Sequence, residues 1–219
     1  MKHSSRPATI LIDGGGFGNK GAEAMLLVVV AALRSMDPNI RIKVRLRPHQ
    51  FADAKREGLI PISNGGPNSM VARSLRKLPA ALLYLTCQAR IDIGGYQFGD
   101  PWSVGTAQSA GKLCSYFRRL GKHTLFMPQA WGPFTKPGLQ PAVTRIIENC
   151  DCAYVRDRSS LTAVEAIVGK NHPHVRSSLD IAWNFPSPSP TGSMCWRKAR
   201  CALPARPKRC ARTGTCWIG

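Results

Sequence analysis

Short apolar runs alternate with helical patterns along residues 8–183. ATILID, residues 8–13, is an apolar run of strand length. It passes through GGGFGNKG into the helical segment AEAMLLVVVAALRSM, which stops at Asp37-Pro38. IRIKVRLR, residues 40–47, alternates with period two, as a strand with one covered face does. VARSLRKLPAALLYLT reads as helix despite Pro79, and RIDIGG as a strand ending in glycines. TAQSAGKLCSYFRRLGK is a helix with a basic exit, and HTLFMPQAWGPF is a strand plus loop. QPAVTRIIENC is helical, DCAYVRD is a strand, and SSLTAVEAIVG is a helix closed by Gly169.

Strand-helix alternation of this kind predicts an α/β fold, a Rossmann-like open parallel sheet of at least five strands with helices on both faces. Ligands bind such sheets at the loops that leave the carboxyl ends of the strands. Four loops carry more specification than connectors need: GGGFGNKGAE, GGYQFGDPW, PQAWGPF and RDRSS. All four follow strands and are expected on one edge of the sheet.

Charge changes this picture only in part. The 219 residues hold 31 Lys or Arg against 12 Asp or Glu, for a net charge of +19. Seven of the basic residues and no carboxylate lie between Asn184 and Gly219, so the body of the chain is only moderately basic. Its cations are scattered and aromatics do not interleave with them, which speaks against a specific nucleic-acid surface and suits an anionic substrate. Cys87, Cys114, Cys150 and Cys152 fall in or beside apolar runs and are expected to be reduced and buried. The last 25 residues hold Cys195, Cys201, Cys210 and Cys216 with no CxxC pair, so zinc is not expected. The start resembles no signal peptide, and the longest apolar run, Ala24–Leu33, is ten residues. A soluble, reducing, cytoplasmic setting is the expectation.

Candidate chemistry sits in the four loops. Gly16-x-Gly18-x-x-Gly21 between a strand and a helix is formally a dinucleotide fingerprint, and a helix start there offers N–H groups to an anion. The acid that a ribose needs at the end of the next strand is missing, because Arg45-Leu46-Arg47-Pro48 stands there. A tight turn in an open α/β sheet is the competing reading. Asp100 either acts as a base or sugar ligand, or caps the next helix. Asp157 or Ser159 either belongs to a site or caps SLTAVEAIVG. Arg156, at the end of an apolar strand, is placed to clamp a carboxylate or phosphate; a salt bridge to Asp157 is the alternative. His172-x-His174 reads as a solvated loop pair, and no GxSxG, HExxH or P-loop motif occurs.

In this order the loops resemble the polysaccharide pyruvyl transferase family. GGFGNKGAEAML looks like its glycine-rich signature, DIGGYQFGD its second glycine loop, MPQAWGPF its Q-x-x-GPF loop, YVRDRSSL its RD-x-x-S element and SLDIAWNF its late D-x-A-aromatic strand. Ala22 departs from the pattern, standing where many members have Asp. The resemblance implies the N-terminal half of a GT-B-like fold, two Rossmann-like halves facing across a cleft. It also implies transfer of pyruvate from phosphoenolpyruvate, the donor substrate in place of any cofactor, to two hydroxyls of one saccharide as a ketal in surface or exopolysaccharide biosynthesis. Such chemistry asks for a general acid toward the methylene carbon, a base toward the hydroxyls and cations around the carboxylate and departing phosphate. The resemblance places Arg156 among those cations and makes Asp100 the second catalytic candidate. Substrate contacts then fall to Gly15, Gly16, Gly18, Asn19, Gly21 and Glu23, to Gly94 and Gly95, and to Gln129, Asp157 and Ser160. The family's acid, a histidine, belongs to the C-terminal half.

Residue by residue, the resemblance ends near Phe185. The chain therefore divides into a Rossmann-like domain, residues 1–185, and a low-complexity basic tail, residues 186–219. The tail, PSPSPTGSMCWRKARCALPARPKRCARTGTCWIG, is expected to be disordered. Its composition matches a GC-rich gene read out of frame; a genuine basic tail for an acidic partner is the alternative. The expectation for function is a truncated pyruvyl transferase, inactive as this chain. The rival is a non-catalytic Rossmann-like domain that binds a nucleotide or sugar.

Overall fold

The computed structural model describes residues 7–63 and 85–179. The helix expected near residues 71–86 falls largely outside them, as does the late strand near 178–185, and the tail lies wholly outside them. Strand β1 (Thr9–Asp13) leads into helix α1 (Lys20–Met36), then β2 (Arg41–Leu46). A 3-10 turn at Pro48–Gln50 opens α2 (Phe51–Arg56), followed by β3 (Ile60–Ser63). After the undescribed stretch come β4 (Ala89–Asp92), β5 (Tyr96–Phe98), α3 (Val104–Arg119) and β6 (His123–Trp131). The described chain continues with α4 (Leu139–Asn149), β7 (Cys152–Val155), α5 (Arg158–Val168) and β8 (Val175–Ser177).

Each boundary has a local cause. Asn19 caps α1 by accepting from the N–H groups of Gly21 and Ala22. Asp37 is extended because Pro38 disfavours helical backbone before it, and α1 stops at Met36. Ser103 caps α3 and Asp157 caps α5, while Gly169 closes α5 with φ +87.

The sheet runs β3-β2-β1-β4-β6-β7-β8, with β5 beside β6 beyond the end of β4, and every pairing is parallel. The expectation of an open parallel sheet is met. β1 is central and buried along its whole length, whereas β2 alternates with Ile42, Val44 and Leu46 inward. On one face, α1 packs Leu26, Val29 and Leu33 against Ile10, Ile12, Val44 and Ile91. On the other, Val143, Ile146 and Val164 meet Phe98, Phe126 and Trp131, whose rings lie 5.0–5.7 Å apart.

Two segments expected as loops are partly strand. GGYQFGD contains β5, whose Tyr96 and Phe98 pair with Ala130 and Trp131. PQAWGPF is strand as far as Trp131, which places Gln129 inside the sheet. Pro128 is tolerated there because the β6–β7 register shifts between Phe126 and Gln129, relieving a ladder bond that proline cannot donate.

Candidate active site

After β1 the chain winds toward β2 and β3; after β4 it winds toward β6, β7 and β8. The reversal between β1 and β4 opens a crevice at their carboxyl ends, where open α/β sheets take ligands. All four specified loops lie on this edge, as parallel pairing requires. Gly14 has φ +81, and a Cβ on it would lie 2.5 Å from the Gly94 nitrogen, so the first two glycine loops meet backbone to backbone. Beside it, a Cβ on Gly15 would strike Ile93 at 2.6 Å.

Gly16 and Gly18 face the Gln50 carboxamide, which a Cβ would approach to 3.2 and 3.0 Å respectively. Gln50 was not foreseen, because nothing in RPHQF marks it as a neighbour of the glycine loop. The first-turn N–H groups of Gly21 and Ala22, expected to be open to an anion, are taken by Asn19 Oδ1 at 2.8 and 3.3 Å. A short carboxamide in the capping position outcompetes solvent for those donors. Glu23 pairs with Lys20 at 2.9 Å and raises its pKa, on the exposed side of the helix.

Beneath the glycine loops lies a buried ion network that sequence reading missed. Arg90 is 4% exposed; its Nε donates to Asp13 Oδ2 at 2.6 Å and its Nη2 to Asp92 Oδ2 at 2.5 Å. Arg45 Nε lies 3.3 Å from Asp13 Oδ1. Burial works against the Arg90 charge, but Asp13 and Asp92 more than offset it and hold the guanidinium protonated. For Asp92, burial pushes the carboxyl up against the pull of Arg90. The other Asp92 oxygen accepts from Gly94 N at 3.0 Å and from the Gln97 carboxamide. The network thus ties the ends of β1 and β4 to the second glycine loop. Its signal was present as charges inside RIDI, a strand apolar enough to be covered on both faces.

Across the crevice, Gln129 stands in register with Val155 at the end of β7, and its carbonyl accepts from Arg156 N at 3.2 Å. Ala130 N donates to the Gly95 carbonyl at 2.9 Å. Arg156 Nη1 lies 3.8 Å from where Gly95 would carry a Cβ, and Nε lies 3.8 Å from Asp157 Oδ2. The arginine therefore reaches the second glycine loop while keeping a long contact with Asp157. Of the two helix-cap candidates, the structure chooses Asp157. It accepts from Ser160 N at 2.8 Å, Ser159 Oγ at 2.6 Å and Ser160 Oγ at 3.0 Å. Although burial works the other way, the bonds from Ser159 and Ser160 hold its carboxyl below the usual range. Ser160 Oγ also accepts from Trp131 N at 2.8 Å, joining the RD loop to the end of β6.

Asp100 is separate from this group. It accepts from Thr135 N at 2.8 Å, Thr135 Oγ1 at 2.7 Å and Lys136 N at 3.2 Å, pinning the loop beyond β6. Thr135 above all holds its carboxyl low. The helix cap offered as its alternative role belongs to Ser103 instead, whose Oγ takes Gly105 N at 3.1 Å.

Elsewhere, Cys87, Cys114, Cys150 and Cys152 are unpaired and buried as expected, and burial raises the Cys114 thiol to about 12. His174 is not simply solvated: its Nδ1 lies 2.9 Å from the Ile147 carbonyl. Among the described residues no group of three or more His, Cys, Asp or Glu is placed to hold a metal, and no helix is long and apolar enough to cross a membrane.

The family model for polysaccharide pyruvyl transferase matches residues 19–205, running past Phe185 where the motif resemblance ends. A search of curated proteins finds no match. Among solved structures, Anabaena HepE in complex with UDP and glucose is similar at 8% identity and a TM-score of 0.46, over 80% of this chain. The lipopolysaccharide outer core galactosyltransferase WaaB, in its apo form, is similar at 15% identity and a TM-score of 0.42, over 77%. The chain spans 44% of the length of each.

Proposed function

The chain belongs to the polysaccharide pyruvyl transferase family, and from that premise we propose that its carboxyl-edge crevice takes part in moving pyruvate from phosphoenolpyruvate onto two hydroxyls of a saccharide. The reaction balances without an oxidant. One hydroxyl proton ends on the methylene carbon, which becomes a methyl group, and the other ends on the released phosphate. Two new C–O bonds form at the former enol carbon, and its bond to the phosphate oxygen breaks. The setting we propose is the building of surface or exopolysaccharide in the cytoplasm.

The observation that carries this reading is the family match over residues 19–205. Arg156 supports the donor assignment, as a permanent cation at the end of β7 that reaches Gly95. Carboxylate or phosphate oxygens suit its fork of donors. Asp100 and Asp157 are both held below the ordinary carboxylate range, so neither delivers a proton at neutral pH. We assign them to shaping the loops, and assign the acid to a residue outside this group. On this reading the chain binds its substrates but does not turn them over unaided.

The test is calorimetric titration of phosphoenolpyruvate into the wild-type chain and into Arg156→Ala, with phosphate release assayed in the presence of saccharide. Binding is expected, weakened roughly tenfold or more by the substitution, as the loss of a charged hydrogen bond predicts. A wild-type chain that does not bind phosphoenolpyruvate overturns the reading. Steady phosphate release would overturn its inactive part alone.

A further inference from the structure

The second glycine loop, GGYQFGDPW, ends on Trp102, which the reading above leaves without a role. Trp102 is 45% exposed. Tyr116, the other exposed Trp, Tyr or Phe ring among the described residues, lies in the last turn of α3, toward the opposite edge of the sheet. Trp102 instead stands between the end of β5 at Phe98 and the start of α3 at Val104, on the carboxyl edge. The loop holds it there. Its N–H donates to the Gly99 carbonyl at 3.0 Å, and its carbonyl accepts from Lys136 Nζ at 3.2 Å. Asp100 N donates to the Pro133 carbonyl at 3.0 Å, and the Asp100 carboxylate binds Thr135 and Lys136. The indole and the Tyr96 ring make a T-shaped pair, with centroids 6.3 Å apart and planes at 81°. Such a pair sets an edge against a face, so Tyr96 leaves at least one face of the indole uncovered. Tyr96 in turn donates to the Gly132 carbonyl at 2.9 Å and follows Gly95, which Arg156 reaches. A large apolar ring is therefore held fixed and open to solvent on the edge that carries the candidate site.

Resting on the reading above, we propose that Trp102 is a stacking surface for a pyranose ring of the saccharide acceptor, leaving the anionic donor to Arg156. The chemistry of the two ligands makes the division. A pyranose has C–H groups across a face and hydroxyls around its rim. The C–H face gains from leaving water for a flat apolar ring whose own face is electron-rich, and the indole N–H can donate to a rim hydroxyl. Phosphoenolpyruvate is small and carries a carboxylate and a phosphate, which the negative face of an aromatic ring repels. Arg156 has donors only and is always charged, the complementary preference. Because the loop is already pinned by Asp100, stacking orders little that was free beforehand. A nucleobase also stacks on tryptophan; the saccharide is chosen because the chain belongs to a family of polysaccharide-modifying transferases.

The experiment compares the wild-type chain with Trp102→Ala, which removes the ring, and with Trp102→Phe, which keeps an aromatic face. Each is titrated with phosphoenolpyruvate, with methyl glucoside, galactoside and mannoside, and with uridine monophosphate, and each is unfolded in urea. The expected result is that Trp102→Ala weakens the tightest-binding glycoside roughly tenfold or more, as loss of a stacking face does. Trp102→Phe should weaken it less than about threefold, and phosphoenolpyruvate should stay within about twofold for both variants. The glycoside should also move the tryptophan emission of wild type to shorter wavelength, as the ring leaves water, and leave that of Trp102→Phe in place. If Trp102→Ala shows no cooperative urea transition, the emission shift and Trp102→Phe decide. The proposal falls if glycoside affinity and emission are indifferent to Trp102, or if glycoside and phosphoenolpyruvate weaken in parallel. It also falls if wild type binds phosphoenolpyruvate but none of the glycosides, or if uridine monophosphate alone depends on the ring. In those cases wild type still binds phosphoenolpyruvate and the family-based reading stands. A wild type that does not bind phosphoenolpyruvate removes both.

Discussion

Gly14 is where the two glycine loops are pressed together, and Gly14→Ala measures how hard. The residue sits at φ +81, and a Cβ there would lie 2.5 Å from Gly94 N, 2.8 Å from Gly94 Cα and 3.1 Å from Asp92 Oδ1. The left-handed backbone costs a residue with a Cβ roughly 1–2 kcal/mol. The overlap is with main chain rather than a flexible tip, so the second loop has to move, a strain of about 1–3 kcal/mol by analogy with overpacked cores. Together these predict a loss of roughly 2–5 kcal/mol. Gly121→Ala is the internal control: its φ is +64, but nothing lies within 4 Å of the added carbon. It should pay the backbone cost alone. Urea unfolding followed by far-ultraviolet circular dichroism gives both values from the midpoint and slope. If Gly14→Ala is no more destabilised than Gly121→Ala, the loops are not in contact and the crevice geometry derived from that contact is wrong.

Two further outcomes follow from the charges. Arg90→Met removes the cation between Asp13 and Asp92 and should cost about 3–5 kcal/mol, the usual penalty for uncompensating a buried charge. A loss under about 1 kcal/mol in urea unfolding would show the carboxylates are not relying on it. For Asp157 the folded carboxyl is depressed, so its ionised form stabilises the fold at pH values above the unfolded value of about 4. That contribution disappears as pH falls through the lowered folded value. Asp157→Asn keeps a capping oxygen but has no such titration. Its urea midpoint should converge on that of wild type between pH 7 and pH 3, and a gap independent of pH would refute the linkage.

Much of the fold was legible because its signals are local. IRIKVRLR shows its covered face by alternation, and α1 is bracketed by Asn19 and by Asp37-Pro38, both within a turn of its ends. What escaped is short or distant. β5 has three residues and no pattern of its own; it exists because β6 runs on past the end of β4 and offers it a partner. Asp100 had a helix cap as one of its two readings, yet its donors come from Thr135 and Lys136, a helix and a strand later. Gln50 reaches the glycine loop only because the turn after β2 folds back over β1.

The chain's own pattern was enough to set the class of fold and to put four specified loops on one edge of a parallel sheet. These follow from strand direction and periodicity, which each segment carries within itself. Only the tertiary structure decided that Gly14 touches Gly94, that Arg90 is locked between Asp13 and Asp92, that Asp100 staples a loop, and that the Gln129 side chain is completely buried. Each of those depends on segments brought together from far apart along the chain. Burial and hydrogen-bond satisfaction are properties of the packed neighbourhood, so no window of sequence contains them.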